Sequence, residues 1–189
     1  MTRKEAVARI EALPERFYGE FVGGELVVSP RPASPHGHAA TALTGELFGP
    51  FQRSRGGPGG WWFHIEPELH LGDDILIPDL AGWRTSRMPV VPDTPAFTLA
   101  PDWVCEVLSP STTRVDRAAK LPAYAAAEVE WVWLVDPLAR MLEVYRRAGS
   151  HWQVAHVLAG NDAVHAPPFD AAPLELAALW LPTPPPPQP

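Results

Sequence analysis

The sequence is poor in cysteine and lysine and has no long apolar run. A single cysteine, Cys105, excludes an intramolecular disulfide framework and fits a reducing compartment. No uninterrupted apolar stretch reaches the roughly 18 residues of a membrane span, so no membrane partner is expected. The first residues, MTRKEAVARIEALPERF, are charged and lack the apolar segment of a secretory signal, which leads to the expectation of a cytoplasmic protein. Lysine is nearly missing: of 15 basic residues all are arginine except Lys4 and Lys120. The formal charge of −7 argues against a broad electrostatic grip on nucleic acid and leaves room only for a local basic groove. No internal repeat is visible.

What is present suffices for one domain. The 189 residues are 46% apolar, too apolar for a disordered chain and long enough for a sizeable core. The domain is expected over residues 1–181. Pro182 to Pro189 carries six prolines in eight residues and reads as an extended, mobile tail.

The spacing predicts a first helix over Arg3 to Leu13, stopped by Pro14. FYGEFVGGELVVSP reads as a hairpin about Gly23-Gly24. Ala39, Leu43, Leu47 and Phe51 recur at helical spacing and predict a helix from about His36 to Phe51. A β-rich stretch follows, with WWFHIEPELHLG, DDILIPDLAGW and APDWVCEVLSP each bearing a short strand. A third helix is expected from about Thr113 to Ala127, capped by Ser111, Thr112 or Thr113. WVWLVDP has the density of a buried central strand. MLEVYRR and WQVAHVL form a hairpin about Ala148-Gly149-Ser150, and PLELAALW a strand end with one helical turn. This alternation indicates a mixed α/β domain.

Three residues stand out chemically. In DWVCEVL, Trp103, Cys105 and Val107 face one way, and Val104, Glu106 and Leu108 the other. A carboxylate between two apolar neighbours is costly unless paired, hydrogen-bonded or bound to metal. The plainer alternative is an edge strand, or an ion pair with arginine. Asp79, between ILIP and LAGW, is alone no more than a turn residue. Two such carboxylates on neighbouring strands could hold one divalent cation of the Mg²⁺ type. Asp116, Lys120 and Tyr124 recur every fourth residue and share a helix face. That spacing allows a surface Asp–Lys pair. In an arginine-biased chain it also suggests a position that needs a compact ammonium.

GGELVVSP, PHGHAATAL, IPDLAGW, CEVLSPSTTRVDRAAK and WVWLVDP, in this order, resemble the Uma-two family of restriction-endonuclease-like proteins, within the PD-(D/E)XK nuclease superfamily. The resemblance covers roughly residues 15 to 180. It is most specific in EVLSPST followed by D-x-x-x-K-x-x-x-Y. It implies a mixed central sheet flanked by helices, with an N-terminal helix and hairpin. It also implies Mg²⁺-dependent hydrolysis of DNA phosphodiester bonds, with Mn²⁺ as a substitute, and a homodimer. By this resemblance Asp79 and Glu106 are metal carboxylates, with the backbone carbonyl of Val107 as a further ligand. Lys120 matches a catalytic lysine moved onto the following helix, since the usual position is here Leu108. Asp116 matches the acid before that lysine, His36 a histidine at the start of the second helix, and Glu20 and Glu25 acids of the hairpin. Asp116, His36 and Glu20 would support the reacting groups. Pro122 departs from the pattern by removing a helical hydrogen bond. Ala127 to Trp131 replaces a stretch where the family more often has a glycine and a tyrosine–tryptophan pair.

Arg53, Arg55, Arg84, Arg87, Arg114 and Arg117 lie in loops or helix starts and could contact phosphates, or simply be solvated. His36-Gly37-His38 is a weak zinc signal without nearby cysteines. Cys105 should point away from Glu106 as a small core residue, and no nucleophile elbow is present. Trp61 and Trp62 cannot share a face, which leaves one for a dimer contact. Two other functions fit the same pattern. One is a catalytically silent nuclease-like module that binds nucleic acid or a protein partner. The other is hydrolysis of a different phosphate-containing substrate.

Overall fold

The computed structural model describes residues 1–30 and 33–182. The proline-rich segment 183–189, expected to be a mobile tail, lies outside the described residues. The first helix, α1 (Arg3–Glu11), is started by Thr2. Its hydroxyl accepts from the Glu5 N–H, and its own N–H donates to the Glu5 carboxylate. Strands β1 (Phe17–Val22) and β2 (Glu25–Pro30) form the expected hairpin. Val22 pairs with Glu25, so Gly23 and Gly24 alone make the turn, at φ of 59° and 85°. Only a residue without a Cβ adopts both angles cheaply. Gly19 has a different reason to be glycine. A Cβ there would lie 2.8 Å from Ile10 and 2.9 Å from Leu13, so it lets α1 lie close on the strand.

Helix α2 (Ser34–Leu47) continues into a π-helical turn, Phe48–Gln52. Next come β3 (Trp61–Ile65), β4 (Leu69–Leu71), β5 (Asp74–Leu76), β6 (Leu80–Arg84) and β7 (Trp103–Val107). The third helix, α3, spans residues 113–126 and is not regular. Thr113–Val115 leads into a π-helical turn, Asp116–Lys120, and then into Leu121–Ala126. Both π turns sit at a proline, Pro50 within the first and Pro122 just after the second. Pro122 has no N–H, so the regular ladder is interrupted there. The N–H of Leu121 reaches back five residues to the Asp116 carbonyl. The expected continuous helix is thus widened by one residue where Asp116 and Lys120 lie.

Strands β8 (Trp131–Asp136), β9 (Met141–Ala148) and β10 (His151–Ala159) complete the main sheet. Its order is β10-β9-β8-β7-β6-β3, antiparallel throughout except for the central pair β7–β8. That parallel pair requires a crossover, which α3 supplies. A second sheet, β2-β1-β5-β4, carries the N-terminal hairpin. The last elements among the described residues are β11 (Ala163–Val164), β12 (Leu174–Glu175) and a 3-10 turn, Leu176–Leu179.

Alternation along β7 divides the core as its pattern implies. Trp103, Cys105 and Val107 pack with Ala39, Leu43 and Leu47 of α2 and with Trp133 and Phe169. Val104 and Leu108 pack with Leu121 and Tyr124 of α3, with Val132 and Leu134 of β8, and with Leu69 and Leu76 of the second sheet. Trp61 is buried in the first of these clusters, and Trp62 is half-buried with its indole N–H on the Met88 carbonyl. Among the described residues, no helix is long and apolar enough to cross a membrane.

Candidate functional site

Glu106 lies near the C-terminal end of β7, with β6 on one side and β8 on the other. It is therefore not on an edge strand, and its partner is not an arginine. Lys120 Nζ lies 2.9 Å from Glu106 Oε1, and the Tyr124 hydroxyl donates to the same oxygen at 2.5 Å. Lys120 is no surface lysine. Its ammonium also lies 3.0 Å from Glu20 Oε1 and 3.6 Å from Asp116 Oδ1. Glu20, Glu106, Asp116 and Lys120 are each only 3% exposed. The wide turn of α3 presents Asp116 and Lys120 on the buried side, and β1 delivers Glu20 from the second sheet.

Glu20 also accepts the Ile77 N–H at 2.7 Å. It thereby ties the hairpin to the short segment that leads to Asp79. Asp79 is held at both oxygens: Oδ2 accepts the Val107 N–H at 2.6 Å, and Oδ1 lies 3.0 Å from His36 Nε2. Val107, whose carbonyl is the expected metal ligand, meets Asp79 through its N–H. His36 is buried at the start of α2, and its Nδ1 has no partner among the described residues. A cavity of about 260 Å³ adjoins this corner, lined by Tyr18, His36, Ser109, Ser111 and Thr112 among others.

One ammonium among three buried acids is not electrically balanced. Burial pushes the Glu106 carboxyl well above its usual range, against the opposing effect of Lys120, and the charges of Asp116 and Asp79 push it further. Asp116 is raised for the same first reason. Burial would push Lys120 down, but Glu106 and Glu20 outweigh it and hold the ammonium well above the usual lysine value. Burial also drives the Tyr124 phenol well up and the half-buried Tyr18 phenol up to about 12, so both stay protonated donors at neutral pH.

Glu20, Glu106, Asp116 and Lys120 therefore share direct contacts, while Asp79 and His36 form a second pair beside them, reached through the backbone at Val107, next to Glu106, and at Ile77, two residues before Asp79. Glu25 is exposed at the far end of its hairpin and does not join them. Three of the arginines expected at phosphates are engaged within the fold. Arg84 Nη1 contacts Asp102 at 2.9 Å and Glu130 at 2.8 Å, and Arg117 grips Glu143 at 2.5 and 3.0 Å. Arg87 also contacts Asp102, at 3.1 Å. Arg53, Arg55 and Arg114 are exposed. The two histidines of the zinc signal diverge, since His38 Nε2 meets the Ala178 carbonyl. Among the described residues, no group of three or more His, Cys, Asp or Glu side chains is arranged as a metal cage. Asp102 and Tyr18 were not among the expected residues. Asp102 sits among apolar residues at a strand start, just as Glu106 does later in the same strand. Tyr18 lies two residues before Glu20 and so shares its face.

The model of the Uma2 family, described as "Putative restriction endonuclease", matches residues 7–178. The chain belongs to the Uma2 family. No curated protein matches it. The fold is similar to a crystal structure described as "a putative nuclease belonging to DUF820 from Anabaena variabilis ATCC 29413". The two are 23% identical, with a TM-score of 0.75 over 95% of this chain and 97% of that one. This likeness is one of fold. The Uma2 match spans every residue of the cluster, from Glu20 in the hairpin to Tyr124 in α3.

Proposed function

We propose that the chain is an endonuclease that hydrolyses DNA phosphodiester bonds with Mg²⁺, Mn²⁺ serving as a substitute, held by Asp79 and Glu106. The observation that carries the reading is the meeting of Lys120 with Glu106, 2.9 Å apart, in a buried cluster whose acids outnumber its one ammonium. The donor set suits a hard cation. Carboxylate oxygens completed by water are what Mg²⁺ takes, so no larger cage is required. Such an ion polarises a phosphoryl oxygen and lowers the pKa of bound water.

The chain's own groups have separate tasks. His36 and the Val107 N–H fix Asp79 from two sides. Glu20 and Asp116 hold the ammonium of Lys120 against Glu106. From there Lys120 orients the attacking water and offsets charge on the phosphate oxygens, in a site dry enough to strengthen both effects. The proposed unit is one domain of residues 1–181, cytoplasmic and paired as a homodimer so that two sites meet two strands. Exposed Arg53, Arg55 and Arg114 are its candidate phosphate contacts. Plasmid cleavage with Mg²⁺ or Mn²⁺ tests this: wild type should cut, and Asp79→Ala, Glu106→Ala and Lys120→Ala should not. Equal activity in all four proteins removes the assignment.

A second reading is favoured by a specific observation. Arg84 and Arg117 are engaged by acids in a chain of charge −7, which leaves fewer of the expected arginines for a nucleic acid. On that reading the chain is a silent nuclease-like module that binds a partner. Calorimetric titration with Mn²⁺ separates the two, since a silent module takes up no ion at millimolar concentration.

A further inference from the structure

The Tyr124 ring is fully buried in an apolar cluster that includes Val104, Leu108, Val132 and Leu134. Phenylalanine would fill the same space, and a buried hydroxyl is costly unless it finds a partner. Among the described residues that partner is Glu106 Oε1 alone, at 2.5 Å. Lys120 Nζ approaches the same oxygen at 2.9 Å. Two donors thus converge on Oε1, while Oε2 has no hydrogen-bond partner among the described residues.

We infer that Tyr124 is a positioning residue whose hydroxyl, together with Lys120, holds Oε1 of Glu106 and so reserves Oε2 as the oxygen offered to a divalent cation. This rests on the metal-binding role proposed for Glu106. The physical reason is rotational. A carboxylate at the end of a glutamate side chain turns readily about its last bond, and a cation binds it well only if one oxygen is kept in place. A single donor would fix a distance. Two donors from neighbouring turns of α3, at positions 120 and 124, fix the plane of the group as well. The packing around the ring is what holds the hydroxyl itself still.

The test is calorimetric titration of the full chain with Mn²⁺, comparing wild type with Tyr124→Phe, alongside thermal unfolding of both without metal. The ring is retained, so the Tm should change by only a few degrees, while Mn²⁺ affinity should fall about tenfold or more. In a Glu106→Gln background, adding Tyr124→Phe should bring no further loss of Mn²⁺ affinity, because Tyr124 acts through Glu106. A Tyr124→Phe protein that binds Mn²⁺ within about twofold of wild type overturns the inference and leaves the role of Glu106 standing. A wild type that binds no Mn²⁺ overturns the role of Glu106, and this inference with it. If Tyr124→Phe does not fold, the wild type still decides. The chain has three tyrosines, so ¹³Cζ labelling yields three phenol resonances. The Tyr124 signal should shift as Mg²⁺ is titrated in to saturation, and a signal that stays put overturns the inference.

Discussion

Two ion clusters, built from similar parts, differ in their burial and in their balance of acids and bases. Around Asp102, two guanidinium groups meet two carboxylates: Arg84 and Arg87 contact Asp102, and Arg84 also contacts Glu130. Asp102 is 4% exposed, but the arginines are 35% and 43% exposed, so water reaches the cations. The backbone N–H of Arg84 adds a further bond to Asp102 Oδ2. Around Lys120, one ammonium meets Glu20, Glu106 and Asp116, all nearly sealed from water. The first cluster neutralises itself and fastens the start of β7 to the end of β6. The second sets three acids against one ammonium at the centre of the fold, and burial pushes Glu106 and Asp116 toward their neutral forms, a cost that structure alone does not require. A surplus of buried acids over buried cations is a better pointer to chemistry than burial of charge as such.

The sharpest way to break this contrast is to measure activity on both sides of it. Glu106→Ala and Lys120→Ala should each lower DNA cleavage by about 100-fold or more. Asp102→Asn should leave the rate per folded molecule within about threefold of wild type, because it touches no reacting group. Similar losses from both clusters would erase the distinction.

Stability without metal should next separate them by sign. Lys120→Met strips the lone cation from three acids and should cost about 3–5 kcal/mol in urea unfolding. Asp102→Asn should cost about 1–3 kcal/mol, as buried donors lose a charged acceptor. Asp116→Asn should leave stability unchanged or raise it, since burial already disfavours the charge of that acid. A loss there as large as that at Asp102 would mean that the Lys120 cluster is balanced after all.

Divalent ions should act on one cluster only. At about one hundred times its dissociation constant, Mn²⁺ should stabilise wild type by about 2.7 kcal/mol. Glu106→Ala should show no such gain, and Asp102→Asn should keep it in full. Thermal unfolding with and without the ion reads this directly.

The smallest effect concerns a third ion pair, on the outer side of α3. The Arg117 guanidinium, more than burial, sets the Glu143 carboxyl and holds it below the usual glutamate range, with Tyr145 also donating to it. A depressed carboxyl stabilises the fold above its unfolded pKa, and that stabilisation is lost as pH falls through the folded value. The half-exposed pair should contribute no more than about 1 kcal/mol. Urea unfolding on either side of the glutamate range measures it, and Arg117→Met should flatten the difference.

Much of the site was legible before any coordinates. Glu106 declared itself by standing between Val104 and Leu108 on one strand face, and Lys120 by being a lysine in an arginine-biased chain. The shared helix face of Asp116, Lys120 and Tyr124 survives in the fold, with all three buried. The hairpin about Gly23-Gly24 was equally plain, because two glycines between alternating strands have few other uses. The engagement of Arg84 and Arg117 was not legible, since Asp102, Glu130 and Glu143 lie 18, 46 and 26 residues away from them. Nor was the widening of α3. Pro122 announced an interruption, but nothing local said whether it would kink the helix or be absorbed as a π turn.

By itself, then, the sequence determined which residues form strands and helices and which faces those elements bury. Those are properties of period and of near neighbours. The tertiary structure alone decided that Glu20 from one sheet, Glu106 from another and Lys120 from the crossover helix would meet. That meeting depends on the parallel pairing of β7 with β8 and on how the second sheet lies against α3. Long-range packing of apolar side chains sets both, and a charged residue's local sequence holds no record of it.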